Sequence, residues 1–348
     1  MINRIIGLSV RNKFLVFACV AAACLWGTWA MMHLPLDATP DLSETQVIIL
    51  SRWDRSPDII EDQVTYPIIT AMTGAPKVRN VRGISDFGFS YVYVIFEEGT
   101  DIYWARSRTL EYLSSVTARL PQGVTTEIGP DATGLGWVFQ YVLRDETGKH
   151  SLAELRSYQD WNLKYYLRSV PGVAEVASVG GFTQQYQVTV DPNRLRSYGI
   201  PISRVADAVR GGNSETGARL LEFGGAEYMI RGRGYVKSRQ DIEEIVLANQ
   251  NGTPIRIKDV GEVVLGPDIR RGAADLDGNG EVVSGIVVMR QGSNALDVID
   301  RVKARLKEIE PGMPAGVKIV PIYDRSHLIR SSHWRKPNSE CTTFISPR

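Results

Sequence analysis

Asp275, Asp277 and Asn279 stand at alternate positions in Asp275-Leu-Asp-Gly-Asn-Gly280, the opening pattern of a calcium-binding loop. That chemistry needs a bidentate Glu at the twelfth position, where this chain has Ile286. The pattern therefore predicts a tight turn rather than a cation site. Gly129-Pro-Asp-Ala-Thr-Gly134 has the glycine spacing of a phosphate loop, but Leu135 and Gly136 replace the Lys and Ser/Thr that hold phosphate and magnesium. His33, His150, His327 and His333 are scattered, with none at metal-ligand spacing from another. Met229, Met289 and Met313 are isolated and read as core filler. Cys19 and Cys24 lie in an apolar stretch and Cys341 near the C-terminus, so residues 33–340 offer no thiolate. No Ser/His/Asp order is apparent. No catalytic, cofactor-binding or metal-ligating position is assigned. Arg106 with Arg108, and Arg270 with Arg271, read as solvated faces or subunit contacts. Trp104, Trp137 and Trp161 read as core, with the lining of a cleft as the alternative.

The stretch Phe14–Met32 contains no Asp, Glu, Lys or Arg. As a helix it is about 28 Å long, close to the ~30 Å hydrocarbon core of a bilayer. Arg4, Arg11 and Lys13 precede it and Asp37, Asp41 and Glu44 follow it, which predicts a cytoplasmic N-terminus and export of residues 34–348. Trp26 and Trp29 fall at the outer headgroup level. The rival reading is a cleaved signal peptide with Thr28-Trp-Ala30 as its cleavage site, but a usual apolar region is only ~7–15 residues. Nothing after residue 33 resembles a second span. With 40 basic and 39 acidic residues the chain lacks the basic excess of a general nucleic-acid binder.

Two like units follow the apolar stretch. In the first, Thr45–Ser51 reads as a strand, and Ser56-Pro57 opens a helix with Ser as N-cap and Pro at its first position. Ile59, Ile60, Val64, Ile68 and Met72 carry that helix to Gly74. Strands at 78–85 and 87–96 form a hairpin, Thr100 or Asp101 caps a helix to about Arg119, and Thr125–Ile128 closes the unit. The order is βαββαβ, the ferredoxin-like motif. The second unit opens alike: a strand at 138–144, a capping box at Ser151-Leu-Ala-Glu154, a helix to Ser169 and a strand at 173–179. Its other half comes about a hundred residues later, as a strand at 282–290, a helix from Asn294 to Ile309 and a strand at 317–321. Val116-Thr-Ala-Arg-Leu120 and Val302-Lys-Ala-Arg-Leu306 echo each other, as duplication predicts. The intervening segment holds a strand at 184–190, a helix from Ser203 to about Arg210 and a hairpin dipeptide, Asn251-Gly252. Residues 330–348 lack periodicity and read as a disordered tail.

Pro40-Asp-Leu-Ser43, Gln63-Val-Thr-Tyr-Pro67, Ser90–Phe96, Trp104-Ala-Arg-Ser-Arg108, Gly129–Gly134, Val173–Gly181, Gln187–Asp191 and Tyr323-Asp-Arg-Ser326 form an ordered set. Together they resemble the heavy-metal efflux branch of the resistance-nodulation-division (RND) permeases, copper/silver type, over residues 1 to about 329. The resemblance implies a transmembrane helix at 14–32, a first porter subdomain at 43–130 and a second at 131–180 plus 275–325. It also implies the N-terminal half of a docking subdomain at 181–274. For a full-length member it implies a proton-driven homotrimer in the inner membrane, joined to a periplasmic adaptor and an outer-membrane channel, with Cu(I) or Ag(I) as cargo. The departure comes after Tyr323-Asp-Arg-Ser326. There the family continues toward a second transmembrane helix, whereas this chain runs into the tail at 330–348, as in a frameshifted or truncated product. No metal-ligand or proton-relay role is transferred to any residue here.

Three functions of different class follow. The leading one is an N-terminal piece of a metal efflux permease that does not transport alone. The second is a membrane-tethered periplasmic interaction module. The third, an exported enzyme, lacks a convincing catalytic set.

Overall fold

The computed structural model describes residues 11–33, 37, 41–232, 234–250, 252–270 and 272–333. The expectations for Arg4, Pro40, Asn251, Arg271, Cys341 and residues 334–348 lie outside these.

A helix, Lys13–His33, comes first. Among the described residues fourteen strands follow in chain order. They are β1 (Gln46–Arg52), β2 (Val78–Asp86), β3 (Phe89–Phe96), β4 (Thr125–Ile128), β5 (Trp137–Asp145), β6 (Val173–Val179) and β7 (Gln184–Val190). Then come β8 (Thr216–Phe223), β9 (Ala226–Gly232), β10 (Val246–Gln250), β11 (Thr253–Arg256), β12 (Gly261–Pro267), β13 (Val283–Met289) and β14 (Val317–Asp324). Among the described residues the chain divides into two compact units. One collects the residues up to Thr147, Gln159–Val179 and those from Ser284 onward; the other is Gly148–Tyr158 with Gly180–Val283.

The first unit holds two four-stranded sheets, ordered β2-β3-β1-β4 and β14-β5-β13-β6. With each set renumbered 1 to 4 in chain order, both read 4-1-3-2 from one edge. Every pairing whose register is resolved is antiparallel. Along β1 only alternate residues are buried, Val47, Ile49 and Ser51, as in a sheet covered on one face. Val47 and Ile49 cluster with Val92, Val94 and Phe96 of β3 and with Ile60, Ile68, Ala105 and Leu113 from two helices. The β2–β3 hairpin turns on Phe87-Gly88, where Gly88 has φ 79° and the Asp86 carboxylate accepts the Phe87 N–H at 2.7 Å. In contrast β5 is buried nearly throughout, at Val138, Phe139, Tyr141, Val142 and Leu143, and so is covered on both faces.

Local signals place the helices. Asp101 Oδ1 accepts the Trp104 N–H at 2.8 Å and starts helix Ile102–Thr117. Asn294 accepts from Leu296 N and Asp297 N and starts Ala295–Ile309. Ser151 and Glu154 form the expected reciprocal box, at 2.8 and 3.3 Å. Ser56 occupies the N-cap position with Pro57 after it, but its hydroxyl makes no capping bond.

Two helices differ from regular α. Residues 57–73 run as Pro57–Ile60, a π-turn at Glu61–Thr65, and Tyr66–Thr73. Residues 152–168 run as Leu152–Tyr158, a π-turn at Gln159–Leu163, and Lys164–Arg168. Their buried stripes explain this. Ile60, Val64, Ile68 and Met72 are spaced 4-4-4, as are Leu155, Gln159, Leu163 and Leu167. An α-helix at ~3.6 residues per turn drifts about 40° at each four-residue step. A π-turn takes up the surplus residue and keeps the stripe on one side. The other two sheet-covering helices bury Ala105, Thr109, Leu113, Val116 and Ala295, Val298, Val302, Leu306. Each of these spans eleven residues in three turns, and neither has a π-turn.

The second unit has three two-stranded sheets, β7–β12, β8–β9 and β10–β11. Its core gathers Leu195, Ile200, Leu247, Ile257 and Val263. The hairpin expected at Asn251-Gly252 is the β10–β11 pair, with Gly252 at φ 81°.

Four expectations need correction. Trp137 and Trp161 are 52% and 72% exposed, so they are not core; only Trp104 of the three packs against the first core. Met229, on the β8–β9 hairpin, is also exposed rather than filler and is not part of its unit's core. Residues 330–333 are not tail: helix Arg325–His333 includes them, and Arg330 bonds the Asp300 carboxylate at 2.9 and 3.1 Å. Arg106 is not merely solvated, since it donates to the Gly129 carbonyl at 2.6 Å.

Candidate functional site

Two stretches singled out in the sequence, Gly129–Gly134 and Tyr323–Ser326, anchor a polar junction in the first unit. Asp131 sits in the connection between β4 and β5. Its Oδ2 accepts from the Tyr103 hydroxyl at 3.2 Å and lies 3.6 Å from Arg290 Nε, while its carbonyl accepts the Gln291 N–H at 2.9 Å. Two residues on, the Thr133 hydroxyl donates to Asp41 Oδ2 at 2.6 Å, and Ser43 N–H donates to Asp41 Oδ1 at 3.0 Å. Both sheets and the segment leaving helix Lys13–His33 are thereby tied to one loop.

The second anchor follows β14. Asp324 pairs with Lys303 and accepts the Ser326 N–H at 2.9 Å, and Lys303 also donates to the Ser326 hydroxyl at 3.0 Å. The Arg325 side chain is 7% exposed and donates to Asp37 at 3.2 Å. His327 Nε2 lies 3.5 Å from Asp324 in an 84% exposed side chain.

Electrostatics fix the charge state of the two acids. Burial pushes the Asp41 carboxyl up, but bonds from Thr133 and Ser43, aided by the Arg325 charge, outweigh it and leave its pKa below the usual carboxylate value. At Asp324 burial again pushes up, and Lys303 and Ser326 bring the pKa down. Both acids are therefore ionised near neutral pH with their oxygens already engaged. The junction is suited to holding chain segments together rather than to taking up a cation or passing a proton.

No site residue was expected from the sequence. Among the described residues no group of three or more His, Cys, Asp or Glu could hold a metal ion. In the calcium-loop look-alike the Asp275 carboxylate accepts Gly278 N–H at 2.7 Å and Gly280 N–H at 3.1 Å, which closes a turn. Sequence reasoning missed the junction as a unit. Its pairs lie far apart in the chain, 92 residues for Asp41 and Thr133, so no local spacing reveals them.

The other element singled out in the sequence is helix Lys13–His33. Its window Lys13–Ala30 has mean hydropathy 1.6 and is long and apolar enough to cross a membrane. Trp26 and Trp29 meet edge to face at its end, 6.5 Å apart.

Among the described residues one long apolar helix, two sheets of one strand order and an interrupting β-rich segment define an α/β chain built on an internal repeat. The AcrB/AcrD/AcrF family matches residues 5–333, and the chain belongs to that family. It is 52% identical over 331 residues to the cation efflux system protein CusA of Escherichia coli K12, covering 94% of this chain and 32% of that protein. It is equally similar to the putative cation efflux system protein SilA of Salmonella typhimurium, with the same coverage. A crystal structure of a heavy metal efflux pump superposes with a TM-score of 0.86 at 30% identity, over 94% of this chain and 33% of that one. The chain thus spans about a third of the length of the relatives it matches. The heavy-metal efflux resemblance read from the sequence agrees with these matches.

Proposed function

We propose that this chain is the N-terminal anchor and porter region of a proton-driven RND permease exporting copper or silver. The observation that carries the reading is the doubled 4-1-3-2 strand order, interrupted after β6, in a chain with 52% identity to two cation efflux proteins. That order, with its antiparallel neighbours, supports ferredoxin-like porter subdomains at 43–130 and at 131–180 plus 275–325. The segment 181–274 is then the docking subdomain. Helix Lys13–His33 is the first transmembrane helix of an inner-membrane protein, with Arg11 and Lys13 on the cytoplasmic side and the porter region in the periplasm.

In this reading the chain is a transport protein rather than an enzyme. These 348 residues alone do not pump. A secondary transporter needs a substrate site, an ion path and faces that alternate. Ion paths use ionisable groups within the membrane, and Phe14–Met32 has no Asp, Glu, Lys or Arg. Copper and silver need several soft ligands, which residues 33–340 supply only as scattered methionines. The partners are like subunits in a homotrimer, a periplasmic adaptor and an outer-membrane channel.

The second reading, a tethered interaction module, is favoured by the β8–β9 hairpin. There Leu220, Leu221, Phe223, Tyr228 and Met229 are exposed on a two-stranded ribbon. The test is expression of residues 1–348 in a strain lacking copper and silver exporters, with adaptor and channel supplied. No gain in resistance is expected; restored resistance would show that the fragment transports.

A further inference from the structure

The π-turns at Glu61–Thr65 and Gln159–Leu163 share three features that the other two sheet-covering helices lack. Each lies within a buried stripe of twelve-residue span rather than eleven. Each breaks the regular ladder; in the first, the Tyr66 N–H reaches back five residues to the Glu61 carbonyl. Each also carries a buried polar side chain bonded to the sheet beneath. The Thr65 hydroxyl donates to Ser90 Oγ at 2.7 Å and lies 2.8 Å from Ser85 Oγ. Gln159 Oε1 accepts from the buried Tyr141 hydroxyl at 2.9 Å. By contrast, buried Thr109 in regular helix Ile102–Thr117 bonds only back into its own helix, at the Ala105 carbonyl.

We infer that the two π-turns are matched joints, where each helix opens ahead of its flanking turns. A broken ladder gives the turn fewer backbone bonds to lose than an α-turn has. The polar bridge supplies the opposing lock. Opening the joint strands a buried hydroxyl or amide unless its sheet partner follows, so the closed state is held by a discrete contact. A joint needs both parts, a weak turn and a latch, and both occur twice. The two are not at the same helix position: the first begins at the fifth residue of its helix and the second at the eighth. The repeat has therefore kept the device rather than the exact site.

The test is hydrogen–deuterium exchange, read by mass spectrometry, on the full chain in lipid nanodiscs. Amides at 61–66 and 159–164 should exchange about tenfold faster than the flanking turns and the middles of helices Ile102–Thr117 and Ala295–Ile309. Deleting Asp62, an exposed residue in the first π-turn, shortens that stripe to eleven residues. Exchange at 60–67 should then slow to the rate of helix Ile102–Thr117, with 159–164 unchanged. Thr65→Val removes the latch without changing side-chain shape, and exchange at 61–66 alone should speed up several-fold. If the deletion does not fold, the unmodified profile and Thr65→Val decide. Uniform protection along 57–73, or an unaltered profile in Thr65→Val, would overturn the inference.

Discussion

Arg325 Nη1 lies 3.2 Å from Asp37 Oδ2, joining residues 288 positions apart. One belongs to the segment that leaves the apolar helix, the other to the first turn of the last described helix. Residues that precede β1 and follow β14 are thus clasped together beside Asp41, whose carboxylate the same arginine helps keep ionised. Removing the cation leaves Asp37 with less compensation, and the Arg325 side chain is nearly buried. Arg325→Met is expected to cost about 1–3 kcal/mol, between the values for exposed and buried pairs. Urea unfolding of the chain in micelles, followed by tryptophan fluorescence, would read this as a lower midpoint. An unshifted midpoint would show that the clasp carries no stability.

The acids of the junction set a pH window. Asp41 and Asp324 have folded pKa values below the ordinary carboxylate value. A depressed folded pKa contributes stability that is full above the unfolded pKa, near 4, and is lost as pH falls through the folded value. The urea midpoint should therefore be flat in these groups between pH 7 and 5 and fall toward pH 3. Asp324→Asn should flatten that acid limb. A loss concentrated between pH 7 and 5 would mean that other groups govern the junction.

Gly285 on β13 permits a close approach. A β-carbon there would run into the ring of Tyr141, which is fully buried and bonded through its hydroxyl to Gln159. Gly285→Ala should therefore destabilise the second sheet, by about 1–3 kcal/mol as for an overpacked core. The companion change Tyr141→Leu should recover part of the loss. Equal stability of Gly285→Ala and the parent would contradict this packing.

The proposed topology rests on Arg11 and Lys13 at one end of the helix and Asp37 and Asp41 beyond the other. An epitope placed at residue 348 should be digested by external protease on spheroplasts, whereas one at residue 1 should survive. Protection of the C-terminal epitope would reverse the orientation.

Much of the fold was legible because local chemistry decides it. Val173–Val179 and Gln184–Val190 have the bounds their residue patterns predict. Helix Ala295–Ile309 begins after the expected cap because Asn294 can satisfy two amide donors at once. The π-turn at Glu61–Thr65 was written in the 4-4-4 spacing of Ile60, Val64, Ile68 and Met72, but that spacing passes for ordinary helix unless its drift is counted. The exposure of Trp137, Trp161 and Met229 could not be read locally, since it depends on which faces other segments cover. The junction failed for a related reason. Asp131, Arg290 and Tyr103 are unremarkable charges and rings until tertiary folding brings them to one loop.

The most direct measurement exchanges the matched region. Residues 1–333 of this chain would replace the corresponding segment of CusA from Escherichia coli K12, in a strain whose own copper and silver exporters are deleted. If this chain is the anchor and porter region of such a permease, the chimera should restore growth on copper or silver to near the level given by CusA itself. A chimera that reaches the membrane in normal amounts and trimerises, yet gives no resistance to either metal, would contradict the account.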